Sequence, residues 1–313
     1  MTTLVASQHG PEGSGEKAPE PVAPGPEQAP REAPSQPARH DVAVSALGLL
    51  SLLFLGFVVY LLAFSGISQS RAQSVMYKNF RHRLAQATAP VGPVTRTGGR
   101  LPSGTPIAVL DIPGLRLRQV VVEGTASGDL MNGPGHRPAT AFPGQPGVAV
   151  ITGRRAAYGG PFRTIDALRP GDPLTVYTGQ GMVPYRVERV RHDTDPLPQP
   201  VGAGGARLIL ATADDPLWPT KAIYVDAWQT SPVQQTAGSP SVEADADKTM
   251  ASDPAALLPL VLWSQALALL APAITWSRVR WGRWQTHLAA IPLLAAVVWN
   301  VYENTARLLP NVL

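Results

Sequence analysis

Apolar and polar positions fall into contrasting textures along this chain. Residues 42–64, VAVSALGLLSLLFLGFVVYLLAF, carry no charge. At about 1.5 Å per helical residue, such a run can cross the roughly 30 Å hydrocarbon core of a bilayer. It is longer than the apolar part of a signal peptide and begins well inside the chain, so it predicts an uncleaved transmembrane helix. Two further uncharged runs, LLPLVLWSQALALLAPAITW (257–276) and HLAAIPLLAAVVWNVY (287–302), predict a membrane hairpin over 255–276 and 286–303. A hairpin buried in a soluble core is the alternative. Residues 105–230 read differently. Short β-branched runs recur there: PIAVLDI, LRQVVVEG, GVAVITG, PLTVYTG, VPYRVERVR, ARLILAT and KAIYVDAW. Turn-rich stretches such as NGPGHRP, FPGQPG, PGD and TGQG separate them. Apolar and polar residues alternate from Tyr185 to Val190. These runs predict a small, closed or partly closed β-barrel, with one short helix at PFRTIDALRPGD.

Polar segments flank these elements. Residues 1–40 are rich in Pro, Glu, Ala and Gly and nearly lack bulky apolar residues, which predicts a disordered tail. Residues 65–104 predict a helical stalk over SQSRAQSVMYKNFRHRLAQA, followed by a Pro/Gly linker, and 231–253 predict a second linker. The turn between the last two apolar runs holds Arg278, Arg280 and Arg283. By the positive-inside rule that turn is cytoplasmic, so the barrel is external and the N-terminal tail cytoplasmic. Arg71, Lys78, Arg81 and Arg83, following the first span on the external side, argue the other way. The hairpin turn outweighs them because its arginines cannot leave the membrane surface.

Composition narrows the chemistry. Charged residues are 15%, below the roughly 25% of an ordinary soluble chain, while Pro and Gly number 33 and 29. The net charge is +4, but the basic residues are scattered, with no stripe suited to a phosphate backbone, so no nucleic-acid partner is expected. Cysteine is absent, which excludes disulfides, thiolate metal sites and any cysteine nucleophile. No His/Asp/Glu spacing suggests a metal site, and no cofactor is expected.

Four landmarks in order, VVEGTASGDLMNGPGHRPAT (121–140), FPGQPGVAVITGRR (142–155), YGGPFRTIDALRPGD (158–172) and ARLILATADD (206–215), make residues 105–230 resemble a sortase. The resemblance is to the class E type of high-G+C Gram-positive bacteria. It implies a mainly β fold, an eight-stranded barrel, here as an ectodomain with three transmembrane helices. It also implies a family activity: cleaving a sorting signal and joining the new carboxyl end to an amine on the cell wall or a pilin.

That activity uses a cysteine nucleophile, a histidine acid/base and an arginine at the oxyanion. The family histidine follows the Gly of a T/A-G-H-R phrase; here the phrase is Thr152-Gly153-Arg154-Arg155, so Arg154 stands at that position. The family cysteine ends an L-T-T-C phrase; here Leu210-Ala211-Thr212-Ala213 puts Ala213 there. The family arginine opens the last strand, where this chain has Lys221 and Ala222. Arginine cannot shuttle a proton near neutral pH, and alanine has no nucleophilic atom. The resemblance therefore implies a catalytically degenerate pseudosortase.

Other residues could replace the lost chemistry. Thr212 neighbours the nucleophile position, but on a strand it points to the opposite face. Asp214 and Asp215 could form a paired-carboxylate site, although a salt bridge from them to Arg154 or Arg155 is the expected arrangement. His136 and His192 read as structural or solvated. Tyr158 lies in a turn that flanks the substrate groove of the family, with Pro161 near a helix start. The expected function is a binding or scaffold module in the cell membrane, with a groove of Arg154, Arg155, Tyr158, Thr212, Asp214 and Lys221. Its expected partners are the membrane and a sorting-signal peptide, a cell-wall component or an active sortase. The alternatives are a hydrolase or transpeptidase with a replaced mechanism, and a structural component that assembles through the hairpin.

Overall fold

Eight strands close into a barrel in the computed structural model of the chain, which describes residues 39–95, 97–216, 218–236, 238, 244–281 and 283–313. They are β1 (Pro106–Ile112), β2 (Leu117–Glu123), β3 (Gly135–His136), β4 (Gly147–Thr152), β5 (Pro173–Thr178), β6 (Gly181–His192), β7 (Ala206–Ala213) and β8 (Ala222–Gln229). Their order around the barrel is β1-β2-β3-β4-β7-β8-β6-β5. Seven of them coincide with the β-branched runs of the sequence. The eighth, β3, is two residues long and lies in a Gly/Pro stretch that reads as a turn. It closes the gap between β2 and β4, pairing parallel with one and antiparallel with the other. His136 on β3 is fully buried, with Nδ1 2.8 Å from Glu123 Oε2 and Nε2 2.9 Å from the Ala141 carbonyl, so it serves the structure.

Side-chain alternation fills the barrel. Val183, Tyr185 and Val187 of β6 point inward onto Leu110, Phe142, Ile165 and Leu208. A bulge between Val187 and Arg189 then shifts the phase of β6. Beyond it Arg191 falls on a covered face, where its Nε donates to Asp226 Oδ2 at 3.0 Å. β7 is buried along its whole length because its other face is also covered. Such a strand shows as a continuous apolar run rather than an alternating one. The expected helix at PFRTIDALRPGD is only a 3-10 turn, Ile165–Ala167, which delivers Ile165 and Leu168 to the core. Pro161, Pro170 and Gly171 leave too little room for a longer helix.

The chain divides into two units, 1–50 and 51–313. The described part of the first is the opening half of α1 (Arg39–Val59). A π turn, Tyr60–Phe64, carries the helix on into α2 (Ser65–Ala85). Rather than standing free as a stalk, α2 lies on the barrel. Its Phe80 is buried against Val109 and Val120, and Gln73 Oε1 accepts from the Val120 N–H at 2.7 Å. After β2 comes α3 (Ser127–Leu130); after β8 come α4 (Leu257–Trp281) and α5 (Arg283–Arg307).

Among the described residues, two helical stretches are long and apolar enough to cross a membrane, Leu47–Ala85 and Pro254–Arg280. Only 6% and 0% of their apolar windows are buried, so neither is the core helix of a soluble fold. Residues 286–303, the third expected span, lie in α5 and are not among these two; Asn300 and Glu303 dilute their apolar run. The tail expected at 1–40 lies outside the described residues up to 38, and 237 and 239–243 of the second linker do likewise.

Candidate functional site

The ends of β4, β7 and β8 meet at one rim of the barrel. β4 and β7 run parallel in register, with Thr152 beside Ala211. β7 and β8 run antiparallel, with Ala213 directly across from Ala222. Strand pairing therefore brings two of the sequence-singled positions together, and both are buried methyl groups. The Gly153 N–H donates to the Ala211 carbonyl at 3.0 Å, and Thr212 Oγ1 donates to the Gly153 carbonyl at 2.8 Å. Thr212 is thus a buried clamp between β7 and the loop after β4. Gly153 is required at this crossing, because a Cβ there would lie 2.6 Å from the Phe162 ring.

Arg154 follows and turns inward. Its side chain is completely buried, and Nη2 donates to the Ser127 carbonyl at 2.9 Å and to Ser127 Oγ at 2.8 Å. The guanidinium carbon lies 5.0 Å from the centre of the Tyr158 ring. Nε and Nη1 have no hydrogen-bond partner among the described residues. Burial pushes the Arg154 pKa down to about 10, which still leaves the group charged at neutral pH.

Tyr158 is held by the helical stretch that carries Tyr60 and Ser65. Its backbone sits at φ +51°, and its N–H donates to Ser65 Oγ at 2.9 Å. Its hydroxyl is 3.3 Å from that of Tyr60. Burial raises the Tyr158 pKa, so the phenol stays neutral. Gly160, at φ +50°, completes this left-handed turn, and a Cβ there would meet the Arg155 carbonyl at 2.5 Å.

The remaining expected site residues take local partners and do not converge on Arg154. Arg155 Nη2 pairs with Asp166 Oδ2 at 2.9 Å, and its backbone N–H donates to the Val312 carbonyl at 3.0 Å. Asp214 accepts from the Thr220 N–H at 3.2 Å and the Lys221 N–H at 3.1 Å. Burial pushes the Asp214 pKa up, but these backbone donors outweigh it and hold the carboxylate below its ordinary range. Asp215 accepts from the Trp218 N–H at 2.8 Å. The expected salt bridge from Asp214 or Asp215 to Arg154 or Arg155 is therefore not formed. The aspartates are occupied by the turn between β7 and β8, and the arginines are committed to Ser127 and Asp166. Lys221 is exposed in that turn, and the Ala222 N–H donates to Asp193 Oδ2 at 2.8 Å. Arg154, with no exposed surface, lines no open groove.

Residues 110–225 match the family model of the sortase domain. This barrel is a sortase domain. Solved structures of several sortase classes are similar to parts of the chain. Sortase E from Streptomyces avermitilis is 31% identical over 42% of this chain and 91% of its own, with a TM-score of 0.36. The sortase D5 transpeptidase of Clostridium perfringens is 23% identical over 51% of this chain and 99% of its own, with a TM-score of 0.43. Sortase C of C. perfringens, solved with the C-terminal cell wall sorting motif, is 17% identical over 51% and 89%, with a TM-score of 0.40. A comparison with curated proteins found no match.

Three parts of the site were not singled out in the sequence of this sortase domain. Ser127, the partner of Arg154, lies within a landmark phrase but carries no signal of its own. Tyr60 and Ser65 belong to the end of an apolar run, where their hydrogen bonding to Tyr158 cannot be read. The third is Asn311 and Val312, both fully buried. Asn311 Nδ2 donates to the Thr125 carbonyl at 2.8 Å and to the Lys248 carbonyl at 3.0 Å, which seats this segment beside the site.

Proposed function

We propose that this chain is a membrane-anchored, class E-like sortase relative of a Gram-positive cell envelope that has lost transpeptidation and works as a binding or scaffold module. The observation that carries the reading is the pairing of Ala213 with Ala222 across β7 and β8. By resemblance these positions belong to the nucleophile and, at or beside Ala222, to the oxyanion arginine. Two methyl groups can neither attack a carbonyl nor stabilise its oxyanion. Arg154, at the acid/base position, is a buried cation with no proton to exchange near neutral pH.

In this reading three helices span the membrane, with the barrel outside and the N-terminal tail inside. The partner is a sorting-signal peptide, a cell-wall component or an active sortase. One observation favours the scaffold form over peptide capture. The loop carrying Arg154, Arg155 and Tyr158 is hydrogen-bonded by Ser65 and Val312 of the same chain.

The test uses the full chain in detergent with a fluorophore–quencher sorting-signal peptide and an amine acceptor. The expected result is intact peptide by mass spectrometry, no fluorescence rise above buffer, and no gain for Ala213→Cys alone. Cleavage by the wild-type chain that Asp214→Asn abolishes would overturn the reading in favour of a replaced mechanism. Because the chain has no cysteine, Gln235→Cys and Ser35→Cys report sidedness cleanly. A membrane-impermeant maleimide should label only the first on intact cells.

A further inference from the structure

Two open cavities adjoin where the π turn of the membrane-side helix passes the loop after β4. The smaller, about 140 Å³, is lined by apolar groups, among them Val58, Leu61, Ala157 and Leu313. The larger, about 580 Å³, is lined by Arg155 and Arg163. Both share Leu62, Ala156 and Pro216, so they form one cleft with an apolar end and a basic end.

The basic end is built to meet an anion. Arg155 is nearly buried, with 11% of its side chain exposed, and Asp166 fixes its Nη2 at 2.9 Å. Its Nη1 is buried and has no hydrogen-bond partner among the described residues. A buried guanidinium N–H left unpaired is costly, and a phosphate oxygen satisfies it with a strong charge-assisted bond. Arg163, exposed beside it, reaches the Ala156 carbonyl at a long 3.5 Å. Among the described residues no acidic one lines either cavity; Asp166, behind Arg155, neutralises one of the two charges.

The level of the cleft selects the source of that anion. Leu62 is 62% exposed on a helix apolar enough to cross a membrane. Two residues later, at Phe64, the apolar run ends, and Ser65, Gln69, Ser70 and Arg71 follow. Headgroups of a bilayer lie at such a boundary, with acyl chains on the apolar side. We propose that this cleft binds an anionic phospholipid, with its phosphate on Arg155 and Arg163 and the start of an acyl chain against Val58, Leu61 and Leu62. The proposal rests on the membrane-anchored reading above and adds a lipid class to it.

Native mass spectrometry of the full chain released from detergent micelles tests it, with phosphatidylglycerol, phosphatidylcholine and inorganic phosphate as probes. Phosphatidylglycerol should bind about tenfold more tightly than phosphatidylcholine. Arg163→Gln, at an exposed position, should remove most of that preference, and Arg155→Gln the rest. Millimolar phosphate should not displace the lipid. Equal binding of the two lipids, or a preference untouched by both substitutions, would overturn the proposal. So would displacement by phosphate alone, which would make this a site for the free ion. Alkaline carbonate extraction of membranes separates the two levels. A chain washed off removes the membrane reading and the lipid site together, whereas a retained chain without headgroup preference removes only the lipid site.

Discussion

Asp129→Asn should stabilise the folded chain at neutral pH and leave it unchanged in acid. Asp129 lies on α3, where burial, with Asp247 and Asp253 nearby, raises its pKa from 3.8 to about 6; hydrogen bonding from Ser103 and the charge of Arg307 only partly oppose this. A carboxyl group whose folded pKa is raised favours the folded state while protonated. That contribution is fully present below about pH 4 and is lost as pH rises through about 6. A shift of about two units corresponds to roughly 3 kcal/mol at pH 7.5, and partial exposure of the side chain reduces this to about 2 kcal/mol. An asparagine oxygen can still accept the Ser103 hydroxyl, now 2.5 Å from Asp129 Oδ2, without ionising. Urea unfolding of the full chain in detergent, followed by tryptophan fluorescence, reads the difference. With an m-value of about 2 kcal/mol/M, the variant midpoint should lie roughly 1 M above wild type at pH 7.5 and coincide with it near pH 4. The difference between the two proteins isolates this carboxyl from every other group that titrates. Equal midpoints at pH 7.5, or a variant advantage that shrinks as pH rises, would refute the argument.

Three further substitutions probe the rim of the barrel. Arg154→Met should change stability by no more than about 2 kcal/mol either way, because relief of a buried charge offsets the loss of the Ser127 bonds. A loss above about 4 kcal/mol in the same urea assay would reveal an anionic partner for the guanidinium. Asn311→Ala should cost about 1–3 kcal/mol by removing the side-chain donor to the buried Thr125 carbonyl and one of the two donors to the Lys248 carbonyl. Hydrogen exchange at the Arg155 amide, bonded to Val312, should accelerate with it. Gly153→Ala should cost about 1–3 kcal/mol by pushing a methyl group into the Phe162 ring, measured as a lowered unfolding midpoint.

The elements legible along the chain are those set by local periodicity and residue chemistry. Seven strands announce themselves because β-branched runs bounded by Gly and Pro have few other conformations to adopt. Two membrane-length helices announce themselves because a long uncharged run leaves no polar face to solvate. The absence of a cysteine thiolate is legible at once, since the chain has no cysteine. The alignment of turn phrases also named Ala213 and Ala222, which the strand register sets directly opposite each other.

Long-range packing decided the rest. β3 has no pattern of its own, and its two residues become a strand only because β2 and β4 leave a gap to fill. The bulge in β6 inverts the side-chain phase, so Arg191 sits buried on Asp226 where simple alternation would not place it. The pairing of charges at the rim was equally hidden. Asp214 and Arg154 follow the paired strands β7 and β4, yet a turn offers backbone N–H groups to the aspartate, and Ser127 offers two oxygens to the arginine. Tyr60, Ser65 and Asn311 reach the site from more than ninety residues away. Periodicity reports which face of an element is apolar; which distant hydrogen-bonding group covers that face is set only when the elements pack.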